Sequence, residues 1–228
     1  MGREARELLE ALDRVERYIR YLDLRASGHS YVGWGIGVGV GAFLTFLMPG
    51  ICGFLGLPIG PMIGITWMVI MLLALSFSSK HMARARALLL ARHEAEERER
   101  ILKALRRGGA ISALGWVSAM TVFGISFYFF FDKAFLWSIY LVCVGLGNMI
   151  TYIACLAQKE IRPRVGLAEA KMVAITLTSC SPIPILIGLF LPDWAPFSSA
   201  VILVVISYLW AGIRLYRKAE AILLGAEG

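Results

Sequence analysis

The sequence predicts an all-α, polytopic membrane protein with six transmembrane helices in three hairpins, long cytoplasmic helices and both termini cytoplasmic. Three observations predict it. Of 228 residues, 58% are hydrophobic and 17% charged, whereas soluble domains run at about 45–50% apolar and about a quarter charged. From Tyr31 to Ser79 there is no Lys, Arg, Asp or Glu. A hydrocarbon core about 30 Å thick needs roughly 20 apolar residues per helix, so this stretch reads as two spans. The basic residues, finally, sort by side. Six spans at 31–48, 61–79, 111–131, 134–157, 172–191 and 197–215 place 22 of the 23 Lys and Arg on one side and leave Lys133 alone on the other. That side is expected to be cytoplasmic.

Residues 1–28 are expected to form a cytoplasmic, coiled-coil-like helix. Ala5, Leu8, Leu12, Val15, Ile19, Leu22 and Ala26 recur at alternating spacings of three and four, a heptad seam. Asp13–Arg17 and Glu16–Arg20 support it with the acid first at i,i+4. The narrow seam favours packing against another helix over lying flat on the membrane. Ser27, Gly28 and Ser30 are expected to break the helix before the bilayer.

The first hairpin, 29–79, is dominated by small residues. Gly33, Gly37 and Gly41 recur at four-residue spacing in the first span, and Gly56, Gly60 and Gly64 recur toward and into the second. Such spacing lets helix backbones approach closely, so these are candidate packing positions. Residues 80–109 form the cytoplasmic extension. No Gly or Pro intervenes before Gly108, so one helix is expected to run from about Met62 to Arg107. Leu88, Leu102 and Leu105 lie on an apolar stripe interrupted by Arg98. This stripe is expected either to pack against residues 3–27 or to join them in a docking surface.

The second hairpin occupies 110–158, a cytoplasmic loop 159–171, the third hairpin 172–215 and a cytoplasmic tail 216–228. Glu16 to Trp34 resembles Glu99 to Trp116 in character, which suggests a parallel repeat of charged helix plus hairpin. The fifth span is the least regular. Pro182 and Pro184 are expected to kink or unwind it. With Thr176, Thr178, Ser179 and Ser181, and with Asn148 in the fourth span, they make a candidate polar path.

No Asp, Glu, Lys, Arg or His falls inside a predicted membrane core, and His29, His81 and His93 lie at or beyond the cytoplasmic boundary. Proton relays, haem ligation and intramembrane acid–base chemistry are therefore disfavoured. No catalytic residue, metal site or cofactor is expected, and the chain does not read as an enzyme. The net charge of +7 reads as topology and not as nucleic-acid binding. Four cysteines, three of them inside spans, draw no disulfide framework.

The functional expectation is a plasma-membrane, oligomeric subunit of a transport assembly, such as an ABC-type permease engaging a separate cytoplasmic ATPase. The partner-binding residues would be Leu8, Leu12, Val15, Ile19, Leu22, Leu88, Leu102 and Leu105. The alternative is a non-catalytic scaffold or assembly factor that recruits a complex to the bilayer.

Overall fold

The computed structural model describes residues 3–91, 94–129, 133–156 and 166–224. His93, residues 159–165 of the expected loop and residues 225–228 of the tail lie outside the described residues. The described residues are helical apart from short turns: α1 (Arg3–Leu55), α2 (Ile59–Ala91), α3 (Ala95–Phe129), α4 (Lys133–Leu156), α5 (Leu167–Ser179), α6 (Ile183–Gly188) and α7 (Trp194–Leu223). Taking α5 and α6 together, six helical segments are long and apolar enough to cross a membrane.

The first correction concerns α1. It runs unbroken for 53 residues, about 80 Å at 1.5 Å per residue, straight through Ser27–Ser30. Gly28 is a contact point. A Cβ there would lie 2.9 Å from the Tyr216 ring and 3.2 Å from the Gly212 carbonyl oxygen of α7. Ser30 donates its hydroxyl to Ser78 of α2 at 3.2 Å, so it faces a neighbouring helix and does not cap its own. At its far end α1 continues past Pro49 to Leu55. Gly56 then takes a positive φ of 67°, and Leu57 N–H donates to Cys52 O at 3.0 Å. This is a left-handed glycine C-cap that ties off the last turn. The connection expected between the spans 31–48 and 61–79 shrinks to three residues, 56–58.

The second correction concerns 62–107, which is not one helix. α2 ends at Ala91 and α3 begins at Ala95. Arg98, which looked like an interruption of the apolar stripe, donates its guanidinium to the Ala91 carbonyl at 3.4 Å. It satisfies one of the carbonyls that every helix C-terminus leaves open. The break also brings Ile101 and Leu105 of α3 into a buried cluster with Ile19 of α1, and Leu90 of α2 packs on it.

α1 lies between α2 and α7, and its alternating glycines explain how. Residues two apart on a helix point about 200° apart, so the glycine run serves two neighbours. A Cβ on Gly33 would meet Phe77, on Gly37 Ile70 and Ala74, and on Gly41 Trp67, all on α2. A Cβ on Gly35 would meet Tyr208 and Leu209, and on Gly39 Val205, all on α7. α3 packs on α4, α4 on α5 and α6, and α7 touches α1, α4, α5 and α6. The main core has Leu141, Leu177, Val204, Ala200 and Ala211 almost fully enclosed where α4, α5 and α7 meet.

One clamp recurs. Trp67 of α2 donates its indole N–H to Thr45 Oγ1 at 3.0 Å over Gly41, and the Thr45 hydroxyl donates to Gly41 O at 2.8 Å. Trp116 of α3 likewise donates to Thr151 Oγ1 at 3.1 Å over Gly147, and Thr151 donates to Gly147 O at 2.9 Å. The counterpart of Trp116 is thus Trp67, whereas the sequence repeat aligns Trp116 with Trp34. At this position the α1–α2 and α3–α4 pairs match in chemistry and not in chain order.

Candidate functional site

Leu8, Leu12 and Val15 of the heptad seam are exposed, at 64%, 56% and 51%, while Ile19 at 9% is buried against α3. Leu22 is half-buried, Leu88 and Leu102 are exposed, and Leu105 is buried. The seam is therefore covered from Ile19 onward and open before it. The reason is that α2 ends at Ala91 and α3 begins at Ala95. Leu90, just before the end of α2, packs at the level of Ile19, so residues 3–18 overhang the bundle by about 24 Å. Every described side chain from Arg6 to Tyr18 is exposed. Arg17 and Asp13 pair at 2.9 Å on the polar side, a contact worth a few tenths of a kcal/mol.

The candidate polar path is not assembled as one feature. The fifth span does break: α5 stops at Ser179, tight turns link Ser181 N–H to Thr178 O at 3.3 Å and Ile183 N–H to Cys180 O at 3.0 Å, and α6 restarts at Ile183. Pro182 and Pro184 cannot donate to Thr178 O and Cys180 O, which these turns satisfy instead, and the Ser138 hydroxyl of α4 donates to the Ser181 carbonyl. Pro184 is buried and Pro182 exposed, and Thr176, Thr178 and Ser179 lie at the bundle surface. Asn148 is buried elsewhere. Its amide donates to Val144 O at 2.9 Å and to the Tyr208 hydroxyl of α7 at 2.8 Å. Of the candidate packing glycines, Gly33, Gly37 and Gly41 touch α2, whereas Gly56, Gly60 and Gly64 have nothing within 4 Å of an added Cβ.

Two groups of residues escape the sequence reading. Glu169, assigned above to the loop 159–171, stands in the first turn of α5 with its side chain 1% exposed. Lys218 Nζ at 2.6 Å and Arg214 Nε at 3.3 Å, both from α7, pair with the same oxygen, Oε1. Oε2 is buried with no hydrogen-bond partner. A signal was present: Arg214 and Lys218 share one helix face at i,i+4, and that face needs an acid opposite.

The second group sits where the apolar stretch ends. His29 and His81 stack with ring centroids 4.2 Å apart, Phe77 lies 4.8 Å from His81, and Tyr216 meets His29 edge-on at 5.2 Å. His29 Nδ1 lies 2.7 Å from Arg25 O; a carbonyl only accepts, so Nδ1 carries the proton. His81 lies two residues beyond the 61–79 stretch. Desolvation first, then the neighbouring charges of His29, Arg84, Lys80 and Arg25, hold its pKa below the ordinary imidazole value. At the opposite end Lys133 pairs with Asp193 at 2.8 Å and holds that carboxyl below its usual range. No three His, Cys, Asp or Glu side chains among the described residues are grouped to hold a metal ion, and all four cysteines are free.

These features define a class, an all-helical protein, among the described residues, with six helical segments long and apolar enough to make it a multi-pass membrane protein. Comparison with protein-family models, curated proteins and solved structures finds no match to the chain.

Proposed function

We propose that the protein is the membrane-embedded subunit of a larger assembly and that the overhang of α1 is where the rest of the assembly docks. One observation carries the reading: Leu8, Leu12 and Val15 stand uncovered on the same seam whose next member, Ile19, is buried. The 22-to-1 split of Lys and Arg supports a plasma-membrane protein of three hairpins with the overhang and both termini cytoplasmic.

Within that class a non-catalytic scaffold fits better than a conduit. Asn148 is tied to Tyr208, Ser138 closes the break at Ser181, and the hydroxyls of Thr176 and Ser179 lie outside the bundle. The second reading is a permease subunit driven by a separate ATPase. It is favoured by the broken α5–α6 segment, a device of transport folds.

A photo-reactive residue placed at Leu12 in native membranes tests the docking claim, with one at Arg17 on the polar side as control. The expected result is a discrete heavier adduct from position 12 that is absent from position 17. Position 12 adducts are also expected to vanish with Val15→Asp while membrane insertion persists. Recovery of a lone chain, with no adduct from either position, contradicts the proposal.

A further inference from the structure

Basic groups gather around the stacked histidines. On α1, Arg25 and His29 lie one turn apart, and on α2, Lys80, His81 and Arg84 share one face. The His29–His81 stack joins the two helices at 4.2 Å. Tyr21 fixes Arg25 from the side, its hydroxyl accepting from the guanidinium and its ring centroid 5.7 Å from Cζ. Tyr216 of α7 closes the back of the cluster against His29. The groups bearing electrostatically on His81 are all basic, and none is a carboxylate. None of the described ion pairs engages Arg25, Lys80 or Arg84. By helix register Glu220 is the nearest acid on α7, one turn beyond Tyr216, and Asp23 of α1, two turns before Ser30 on the side that meets α2, is buried and engaged in an interaction of its own.

Like charges cost energy when crowded, and the other charged sites here avoid that by pairing: Glu169 takes two cations, Asp193 takes Lys133 and Asp13 takes Arg17. Among the described residues this cluster has no such partner, and it stands at the depth where the apolar stretch gives way to charge. Lipid phosphates occupy that depth, and basic pockets between transmembrane helices bind acidic headgroups.

We propose that Arg25, His29, Lys80, His81 and Arg84 form a binding site for a phosphate group, supplied by the headgroup of an anionic lipid. The guanidinium of Arg25, held by Tyr21, gives directed N–H donors. Lys80 and Arg84 supply charge from the second helix. A bound phosphate bridges α1 and α2 at the place where the two imidazoles touch.

The test uses the full chain in nanodiscs of phosphatidylcholine, of phosphatidylcholine with phosphatidylglycerol, and of phosphatidylcholine with added inorganic phosphate. Retained lipid is counted by native mass spectrometry and the thermal midpoint is followed in parallel. Phosphatidylglycerol is expected to be retained and to raise the midpoint by several degrees, while inorganic phosphate is expected to do little. Protection by inorganic phosphate equal to that by the lipid would keep the phosphate site and overturn the lipid as its source. The variant Lys80→Gln with Arg84→Gln changes exposed side chains only, so the fold is expected to survive. Its lipid retention is expected to weaken about thirty-fold, two charges at roughly 1 kcal/mol each. Arg106→Gln with Arg107→Gln removes the same charge from α3 and is expected to bind as the parent does. Equal loss in both variants means diffuse surface charge, and the site is then refuted. Absence of any phosphate-dependent shift refutes it as well.

Discussion

Gly145 is where the helix packing can be tested most sharply. A Cβ added there would stand 2.3 Å from Thr178 Oγ1, 3.1 Å from Ala174 O and 3.3 Å from Thr178 N. The threonine hydroxyl can rotate away, but the backbone of α5 cannot, so Gly145→Ala must push α4 and α5 apart. Overpacking of this kind costs about 1–3 kcal/mol. The better helix propensity of Ala returns up to about 1 kcal/mol, which with the full gain leaves a net loss of up to about 2 kcal/mol. Gly64→Ala meets nothing within 4 Å, so only the propensity gain applies and the variant is expected to match or exceed the parent. Adding Thr178→Ala to Gly145→Ala removes the closest contact but not the Ala174 carbonyl, and is expected to recover part of the loss. Such non-additivity marks residues in contact. Thermal unfolding in mild detergent, followed by circular dichroism, reads all four proteins. A Gly145→Ala protein as stable as the parent, beside a destabilised Gly64→Ala protein, would sink the reasoning. The second half of that result would place Gly64 at an interface with another chain.

Other consequences follow from named contacts. Removing both Arg214 and Lys218 strands the buried Glu169 carboxylate and is expected to cost about 3–5 kcal/mol. Glu169→Gln, which leaves two half-exposed cations in reach of water, costs clearly less, and a denaturant titration ranks the two. Thr45→Val and Thr151→Val each remove an indole partner and are expected to cost about 0.6 kcal/mol, the usual scale for interhelical hydrogen bonds in membranes. Tryptophan emission should report both. His81 has its folded pKa below that of the unfolded chain. Its neutral form is thus favoured on folding, and stability that is full above the unfolded pKa falls as pH drops from there toward the folded pKa. His81→Gln should flatten that part of a melting-temperature profile, and an unchanged slope counts against the stacked pair as its source.

The spans were legible because hydrocarbon thickness fixes their length, and the break in the fifth because Pro182 and Pro184 cannot continue a hydrogen-bonded ladder. The heptad spacing marked Ile19 and the apolar stripe marked Leu105 as packing positions, and the structure buries the two together. What remained hidden depended on neighbours. Gly28 reads as a helix breaker until Tyr216 and the Gly212 carbonyl are found against it. The stretch 80–107 has no breaker, and the end of α2 within it goes with the packing of Ile101 and Leu105 on Ile19 and with Arg98 reaching back to Ala91. Glu169 reads as a loop acid because nothing local says that a basic pair 45 residues later, beginning at Arg214, will cover it. Thr176 and Ser179 looked like a path because hydroxyls cluster in sequence, yet α5 turns them outward while Asn148 faces α7.

The continuity of α1 matters more to function than any of these differences. With a hinge at Ser27–Ser30, the overhang would be a tether, and whatever docked on Leu8, Leu12 and Val15 would move independently of the membrane. Instead one helix carries the open seam, the buried Ile19 and both glycine rows. Gly33, Gly37 and Gly41 seat it on α2, and Gly28, Gly35 and Gly39 seat it on α7, so the helix is held on two sides over its apolar length. Close-packed interfaces of this kind shift between discrete arrangements and do not bend freely. A partner gripping the overhang therefore acts directly on the α1–α2 and α1–α7 contacts. The site of Arg25, His29, Lys80, His81 and Arg84 lies on that same shaft, between the docking seam and the first glycine that meets α2, so a phosphate bound there would stiffen the joint through which a docked partner pulls.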